Sequence, residues 1–295
     1  IRGEPGTGKS RLLEELLSRA TLEGTTTLAL RAVAGDRTDP GGALRALIAG
    51  PLLAAPGVGA ASGETLAAMA EVDAAWLERF PGARGSIPSP LRQAVVDLVR
   101  AASGEAPVVI AVDDAQWLDG ESLGILFGLL RDLAASRLLL VVAASPRPEH
   151  PLLDEITTRI GRDHAGGVIP LPPLTSDSLE RLVRWALPGY GLEQVERLTR
   201  RIAADSAGLP FLAVELLHAV VGGLDLLDSP DPWPSPFQTL DQTRPGDLPD
   251  AIVAAIRIDF RRLSASGQSV LAAAAVLGDR VTTEQLALAT GVPPD

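Results

Sequence analysis

One eight-residue segment near the start of the chain combines residue types suited to holding a polyphosphate. Gly3-Glu-Pro-Gly-Thr-Gly-Lys-Ser10 fits the pattern G-x-x-x-x-G-K-[ST] at every position. Its three glycines allow backbone conformations closed to other residues, so that successive N–H groups can point at phosphate oxygens. We expect the Lys9 ammonium to reach the β- and γ-phosphates and the Ser10 hydroxyl to ligate magnesium.

Lys9 is also the only lysine of the chain, since 25 of the 26 basic residues are arginine. At this composition a chance match to the pattern is expected in on the order of one chain in a thousand. An accidental glycine turn is therefore a poor explanation of the segment. The position at which lysine is retained points to chemistry that arginine does not serve.

Two carboxylates follow an apolar run further along the chain. Ala106-Pro-Val-Val-Ile-Ala-Val-Asp-Asp114 predicts a strand buried on both faces of a parallel sheet. After a phosphate loop, the first acid at such a strand end belongs to the magnesium shell, which assigns Asp113. The second acid can position or deprotonate the attacking water, which makes Asp114 the candidate base. The alternative is a helix N-terminal cap, because Asp119 and Glu121 also precede the next helix.

A further apolar run, Leu138-Leu-Leu-Val-Val-Ala-Ala144, predicts another buried strand. It is followed by Ser145-Pro-Arg147, where a polar group could sense the γ-phosphate. Arg147 is either a member of the catalytic site or a solvated loop arginine, and both interpretations stay open.

The elements that would position these residues follow the order of a doubly wound α/β fold. Leucines recur at helical spacing directly after the phosphate loop, residues 25–33 predict a strand, and 90–102 and 122–134 predict helices. Only Ile1 and Arg2 precede the loop, so the strand that should lead into it is nearly missing. We therefore predict an α/β fold, a P-loop NTPase three-layer sandwich with a mostly parallel sheet whose first strand is truncated.

The remainder of the chain is predicted to be mainly helical and to form further domains. We assign residues 1–170 to the phosphate-binding core, in which 50–87 are an insertion rich in alanine and glycine. The other predicted segments are a helical lid at 171–224 with helices 177–186, 192–206 and 210–221, a proline-rich loop at 225–247, and a partial third domain at 248–295 with helices 249–263, 265–276 and 283–290.

Composition excludes several classes of protein. Hydrophobic residues make up 46% and charged residues 21% of the chain, which argues against general disorder. The absence of cysteine excludes disulfides, thiolate zinc sites and cysteine nucleophiles. A net charge of −11 is the wrong sign for a surface that grips nucleic acid, so we expect no direct DNA binding. No run of 18 apolar residues occurs, and we expect no membrane partner.

Both ends of the chain suggest a piece of a larger protein. Ile1 is followed at once by a glycine-rich turn rather than by the basic segment and apolar core of a secretory signal. The chain stops at Val292-Pro-Pro-Asp295, directly after a predicted helix. We expect a fragment of a multidomain cytoplasmic protein, or the product of an incomplete gene.

Together the motifs resemble the ATPase module of STAND signalling proteins, an AAA-type P-loop ATPase. That module is found in large LuxR-type transcriptional regulators of actinobacteria, and before nucleotide cyclase or protein kinase domains in related regulators. The resemblance rests on Gly3–Leu13, on Val112-Asp-Asp-Ala-Gln-Trp-Leu-Asp119, and on Gly208-Leu-Pro-Phe-Leu-Ala-Val-Glu-Leu-Leu217. Residues 248–278 resemble the start of the winged-helix segment that follows this ATPase.

The resemblance implies roles for particular residues. Lys9 and Ser10 would hold phosphates and Mg²⁺, and Asp113 and Asp114 would hold the metal and the water. The residues implied to contact ATP or ADP are Gly3, Glu4, Pro5, Gly6, Thr7, Gly8, Lys9, Ser10, Arg11, Gly208 and Pro210, the last two coupling the nucleotide to the helical lid.

Two departures from the family pattern matter. The strand before the phosphate loop, which lies in the middle of the sheet in this family, is nearly absent from the sequence. The chain also lacks a DNA-binding helix-turn-helix and sensor repeats, so output and sensor domains would lie outside it. Self-association that depends on the bound nucleotide is a further candidate interaction.

Three functions compete at this point. The first is a regulatory switch that binds ATP, hydrolyses it slowly and moves the winged-helix part relative to the core, in a transcriptional or a cyclase- or kinase-linked regulator. The second is an AAA+ motor or loader ATPase that acts on DNA, against which the negative charge weighs. The third is a pseudo-enzyme that only holds nucleotide, which would require loss of the acids, yet Asp113 and Asp114 are both present.

Overall fold

A computed structural model describes residues 1–221, 263–277 and 281–292. The chain divides into two compact units, Ile1–Pro172 and Pro173–Asp295. The first unit contains three parallel strands in the spatial order β1 (Thr26–Arg31), β2 (Val108–Asp113) and β3 (Leu138–Val142). Parallel neighbours need long crossover connections, and helices supply them here. The predicted α/β class with a parallel sheet is therefore confirmed.

The described first unit contains seven helices, and the longest follow directly from apolar spacing in the sequence. In chain order they are α1 (Lys9–Leu22), α2 (Gly42–Leu47), α3 (Gly63–Val72), α4 (Ala75–Arg79), α5 (Leu91–Glu105), α6 (Gly120–Asp132) and α7 (Pro151–Arg159). The sequence patterns did not predict α2 or α7, because both are short.

The strands differ in burial according to their neighbours. Val108 through Val112 of β2 are buried, since β2 lies between the other two strands. The strand predicted over residues 138–144 is present, but the prediction that it is buried holds only for Ala143 and Ala144, which directly follow β3. Its residues are half-buried and Leu139 is 50% exposed. The reason is that the edge of β3 away from β2 is covered only near its carboxyl end.

That cover is formed by Ile1 and Arg2. The Ile1 nitrogen donates to Val142 O at 2.7 Å, and Ala144 N donates to Ile1 O at 3.0 Å. On the other side, Arg2 N donates to Ile169 O at 2.9 Å and Leu171 N donates to Arg2 O at 2.7 Å. Arg2 therefore forms parallel bridges to both neighbouring segments. Two residues are enough to fix where the phosphate loop starts.

Residues 50–87, predicted to be an insertion, share the hydrophobic core of the sheet. Trp76 of α4 is fully buried, and its indole N–H donates to Ile48 O at 3.3 Å. Met69 of α3 belongs to the same buried cluster as Val95 of α5 and Ile110 of β2. The segment therefore contributes core volume to the first unit.

The second unit is helical where it is described. Its first three helices, α8 (Ser176–Ala186), α9 (Leu192–Ser206) and α10 (Pro210–Val221), pack around a separate apolar cluster that includes Val183 and Ile202. Helices α11 (Ala265–Leu277) and α12 (Thr283–Thr290) contact each other. The predicted loop 225–247 and almost all of the predicted helix 249–263 lie outside the described residues. Within the described part, no helix has the length and apolar character needed to cross a membrane.

Candidate functional site

The parallel topology brings the predicted groups to one edge of the sheet. Arg31 at the end of β1 is in register with Asp113 at the end of β2. Beyond β3, Gly3 N donates to Ala144 O at 3.4 Å, so the phosphate loop starts beside the segment that leads into Ser145. The carboxyl ends of parallel strands form the usual ligand-binding edge of open α/β sheets.

The glycines of the phosphate loop are needed for different reasons. Gly6 and Gly8 have φ values of 83° and 90°, which side chains rarely allow. Gly3 has no positive φ, but a Cβ there would lie 2.6 Å from Thr7 Oγ1 and 2.8 Å from Leu171 O. Gly8 is the N-terminal cap of α1, so the loop ends at the positive end of the helix dipole.

Lys9 is held inside the loop. The side chain is only 6% exposed, and its Nζ donates to Gly3 O at 2.8 Å and Glu4 O at 3.0 Å. Burial lowers the pKa of the Lys9 ammonium, and the negative charges of Asp114, Asp113 and Glu4 act in the opposite direction. The charge of Lys9 is therefore coupled to both acids at the sheet edge.

The other residues of the phosphate loop differ in how far they are buried. Thr7 is buried and its hydroxyl donates to Glu4 O at 2.8 Å, which closes the loop. Ser10 is half-buried, whereas Glu4, Pro5 and Gly6 are exposed. Arg11 is exposed and pairs with Glu14 at 3.4 Å on α1. Its predicted nucleotide contact stays a prediction.

Asp114 occupies an irregular position after β2. In a regular parallel ladder Ala143, which donates to Val112 O at 2.8 Å, would accept a bond from Asp114 N; it accepts from Ala115 N instead, at 2.9 Å. Asp114 is thus an extra residue, and its φ of 54° is left-handed, a conformation that aspartate tolerates better than most residues. Bulges of this kind redirect side chains next to functional sites. Asp113 stays in the ladder, and its Oδ1 accepts from Asp114 N at 3.0 Å.

Both carboxylate oxygens of Asp114 have partners. Gln116 Nε2 donates to Oδ1 at 3.0 Å, and Arg31 Nε lies 3.5 Å from Oδ2. The same amide accepts from Ser145 N through Oε1 at 2.9 Å. Sequence reasoning missed Gln116 and Arg31 as parts of the site. Their positions could have indicated this role, because Gln116 lies inside the acidic motif and Arg31 lies at a strand end.

Asp119 is the cap that the sequence offered as an alternative role for this motif. It precedes α6, is 4% exposed, and its Oδ1 accepts from Ser122 N and from Gly41 N, both at 2.9 Å. Burial acts to raise the pKa of this carboxyl, but the bonds from Gly41 and Ser122 together outweigh it and the pKa lies below its ordinary value. Within this motif Asp119 therefore caps a helix, whereas the Asp114 side chain does not cap the turn that follows it.

Three predicted residues are not brought to this cluster by any described contact. Arg147 is exposed in the loop after Ser145. Gly208 and Pro210 belong to the second unit, where Gly208 has a φ of 74° and its carbonyl accepts from Leu174 N at 2.7 Å. A Cβ on Gly208 would lie 2.6 Å from Leu174 O, so this glycine is required by a local turn. A role for these residues near the nucleotide stays a prediction.

The donor set suits magnesium only if the ligand supplies further oxygens. Among the described residues no group of three or more His, Asp, Glu or Cys side chains could hold a metal ion. The Ser10 hydroxyl and the Asp113 carboxylate are hard oxygen donors, and Mg²⁺ is commonly held by one or two protein ligands together with substrate phosphates. The residues present fit that arrangement.

Comparison with known proteins finds a family match over part of the chain. Residues 1–142 match the family model described as "AAA ATPase domain", which covers the phosphate loop and the two acids. The chain is 26% identical to an uncharacterized protein of Rhizobium meliloti (strain 1021), over 96% of this chain and 27% of that protein. It therefore spans about a quarter of the length of this relative.

Two solved structures resemble the chain at low similarity. One is the Walker-type ATPase of Pyrococcus abyssi, with a TM-score of 0.48 and 14% identity over 97% of this chain and 81% of that chain. The other is the Aeropyrum pernix ORC1 protein in complex with DNA, with a TM-score of 0.44 and 15% identity over 97% of this chain and 68% of that chain.

Proposed function

We propose that the first unit binds ATP with Mg²⁺ and hydrolyses it slowly, as a nucleotide-dependent switch in a multidomain, transcriptional regulator. One observation carries this proposal. The buried ammonium of Lys9 donates to the carbonyls of Gly3 and Glu4 and is coupled to Asp113 and Asp114, all within an AAA-type ATPase domain. A buried cation facing two acids across a glycine loop is suited to a ligand that is itself highly charged.

Binding would rest on the loop and Lys9. The N–H groups at the start of α1 would hold phosphate oxygens, aided by the helix dipole. Lys9 would exchange its bonds to the Gly3 and Glu4 carbonyls for bonds to the β- and γ-phosphates, in which donor and acceptor are both charged. Ser10 and Asp113 would hold Mg²⁺, which when bound neutralises charge on the phosphate oxygens.

Hydrolysis would depend on Asp114. A water oxygen bonds to the γ-phosphorus, the bond from phosphorus to the β–γ bridging oxygen breaks, and Asp114 accepts or directs the proton that the water loses. Both Asp114 oxygens already have partners, Gln116 and Arg31. Each carboxylate oxygen has two lone pairs, so Asp114 can accept the water proton while both partners stay in place.

A switch needs a difference in affinity between two arrangements, since a ligand that binds both equally shifts nothing. A motor or loader ATPase that acts on DNA is the competing function, and the net charge of −11 opposes it. ATP turnover by the protein with and without duplex DNA separates the two. Turnover below about one per minute without stimulation supports the switch, whereas vigorous DNA-stimulated hydrolysis would refute it.

Two substitutions test the assignment of the site. Lys9→Ala is expected to weaken ATP binding about 10- to 100-fold, because a hydrogen bond to a charged group contributes about 1.5–3 kcal/mol. Arg19→Ala is the matched control, since it removes an exposed cation of the same helix that pairs with Glu15. Unchanged affinity in Lys9→Ala would remove the phosphate-loop assignment.

Asp114→Asn is expected to retain ATP binding and to slow hydrolysis about 100-fold or more, the range in which removing a general base usually falls. Binding is measured with a fluorescent ATP analogue and hydrolysis by phosphate release. Undiminished turnover in this variant would mean that another group positions the water.

A further inference from the structure

We propose that Gln116 is a positioning residue for Asp114, and that it ties this carboxylate to the segment after β3. The inference rests on the proposed function, because it concerns the group assigned to the attacking water. It goes beyond the assignment of the phosphate loop and the two acids, neither of which involves Gln116.

The orientation of the Gln116 amide is fixed by chemistry. Ser145 N is a backbone donor, so the amide atom 2.9 Å from it must be the oxygen, Oε1. The amide nitrogen Nε2 is then the atom 3.0 Å from Asp114 Oδ1, where it donates. A carboxylate only accepts, so both bonds are satisfied in this one orientation. Gln116 is 4% exposed, and water competes little for either bond.

The backbone of Asp114 explains why such a tie is needed. Asp114 is the extra residue after β2 and has left-handed backbone angles, so the regular ladder does not hold its carboxylate in place. Arg31 reaches Oδ2 at 3.5 Å, but its side chain is 73% exposed, and an exposed pair of this kind orients a partner weakly. The buried amide is therefore the principal restraint on Asp114.

Because one amide bonds both groups, the carboxylate of Asp114 and the backbone at Ser145 are positioned together. Ser145 follows Ala144, which is bonded to Ile1 beside the start of the phosphate loop. A ligand-dependent shift of the segment at Ser145 would reach Asp114 through a single side chain.

The test compares Gln116→Leu and Gln116→Glu with Gln93→Leu. Gln93 is the matched control, since its exposed Nε2 makes the same kind of bond, at 3.0 Å, to Asp97 on α5. We expect Gln116→Leu to lower kcat about 10- to 100-fold, the factor that corresponds to one hydrogen bond to a charged group. KM and the Kd for ATP should stay within about twofold, and Gln93→Leu should match the wild type.

Gln116→Glu separates positioning from folding. The carboxyl of residue 116 can still accept from Ser145 N, but it can donate to Asp114 only when it is protonated. We therefore expect kcat of this variant, relative to wild type, to rise as the pH falls from 8 to 5.5, while the ratio for Gln116→Leu stays flat. Flat ratios for both variants, or a change in KM with kcat intact, would overturn the proposal.

A crystal structure of Gln116→Leu provides a readout besides turnover. We expect the Asp114 carboxylate to leave its wild-type position, and an unmoved carboxylate would overturn the proposal. The two claims can fail separately. A wild-type protein without ATP turnover refutes the proposed function, whereas the position of Asp114 in this variant bears on Gln116 alone.

Discussion

Removing the carboxylate of Asp119 should destabilise the first unit far more than the loss of an ordinary helix cap. Asp119→Ala leaves the buried N–H groups of Gly41 and Ser122 without an acceptor. An orphaned buried donor costs about 1–3 kcal/mol and a lost N-cap about 1 kcal/mol. These contributions overlap, so we expect the free energy of unfolding to fall by about 3–5 kcal/mol. Ser62→Ala, which removes the cap of α3, is the matched control, with an expected loss of about 1 kcal/mol.

The same site predicts a dependence on pH. The pKa of folded Asp119 lies below its ordinary value of 3.8, so its charge contributes stability that is present above pH 3.8 and lost as the pH falls through the lowered pKa. Asp119→Asn keeps one acceptor oxygen but does not titrate. The stability gap between wild type and this variant should therefore narrow below pH 3.8.

Denaturant unfolding followed by tryptophan fluorescence measures these differences. A loss in Asp119→Ala no larger than that in Ser62→Ala would refute the view that this carboxylate joins two distant segments. If the difference in the free energy of unfolding between wild type and Asp119→Asn does not change with pH, the proposed role of the charge is refuted.

Two further predictions concern other parts of the first unit. Gly3→Ala should reduce ATP affinity at least tenfold and destabilise the protein by about 1–3 kcal/mol, because its Cβ would lie 2.6 Å from a loop hydroxyl. Calorimetric titration and thermal unfolding test this. Trp76→Ala should lower the free energy of unfolding by about 3–5 kcal/mol in denaturant titrations, since it empties a fully buried site.

The sequence predicted those parts of the fold and candidate site that depend on local pattern. The phosphate loop, the apolar run of β2 and the longer helices each carry their signal within a few residues. What it did not reveal depends on contacts between distant segments. Asp119 joins a residue 78 positions away, Gln116 joins one 29 positions away, and the bulge at Asp114 depends on which backbone atom Ala143 accepts. None of these contacts produces a periodic pattern in the sequence. The exposure of β3 was missed because an apolar run does not state how many neighbours a strand has.

The retention of a single lysine has a consequence for how this protein can be studied. Lys9 is the only side-chain amine, so a small acylating reagent has one side chain to modify, and it lies in the loop assigned to the phosphates. Because burial lowers the pKa of Lys9, a larger fraction is uncharged and nucleophilic than in an exposed lysine at the same pH. The extent of its acylation, read by mass spectrometry, would then report how far a bound nucleotide shields the loop. The arginine-only composition elsewhere makes Lys9 a built-in occupancy label that needs no engineered tag.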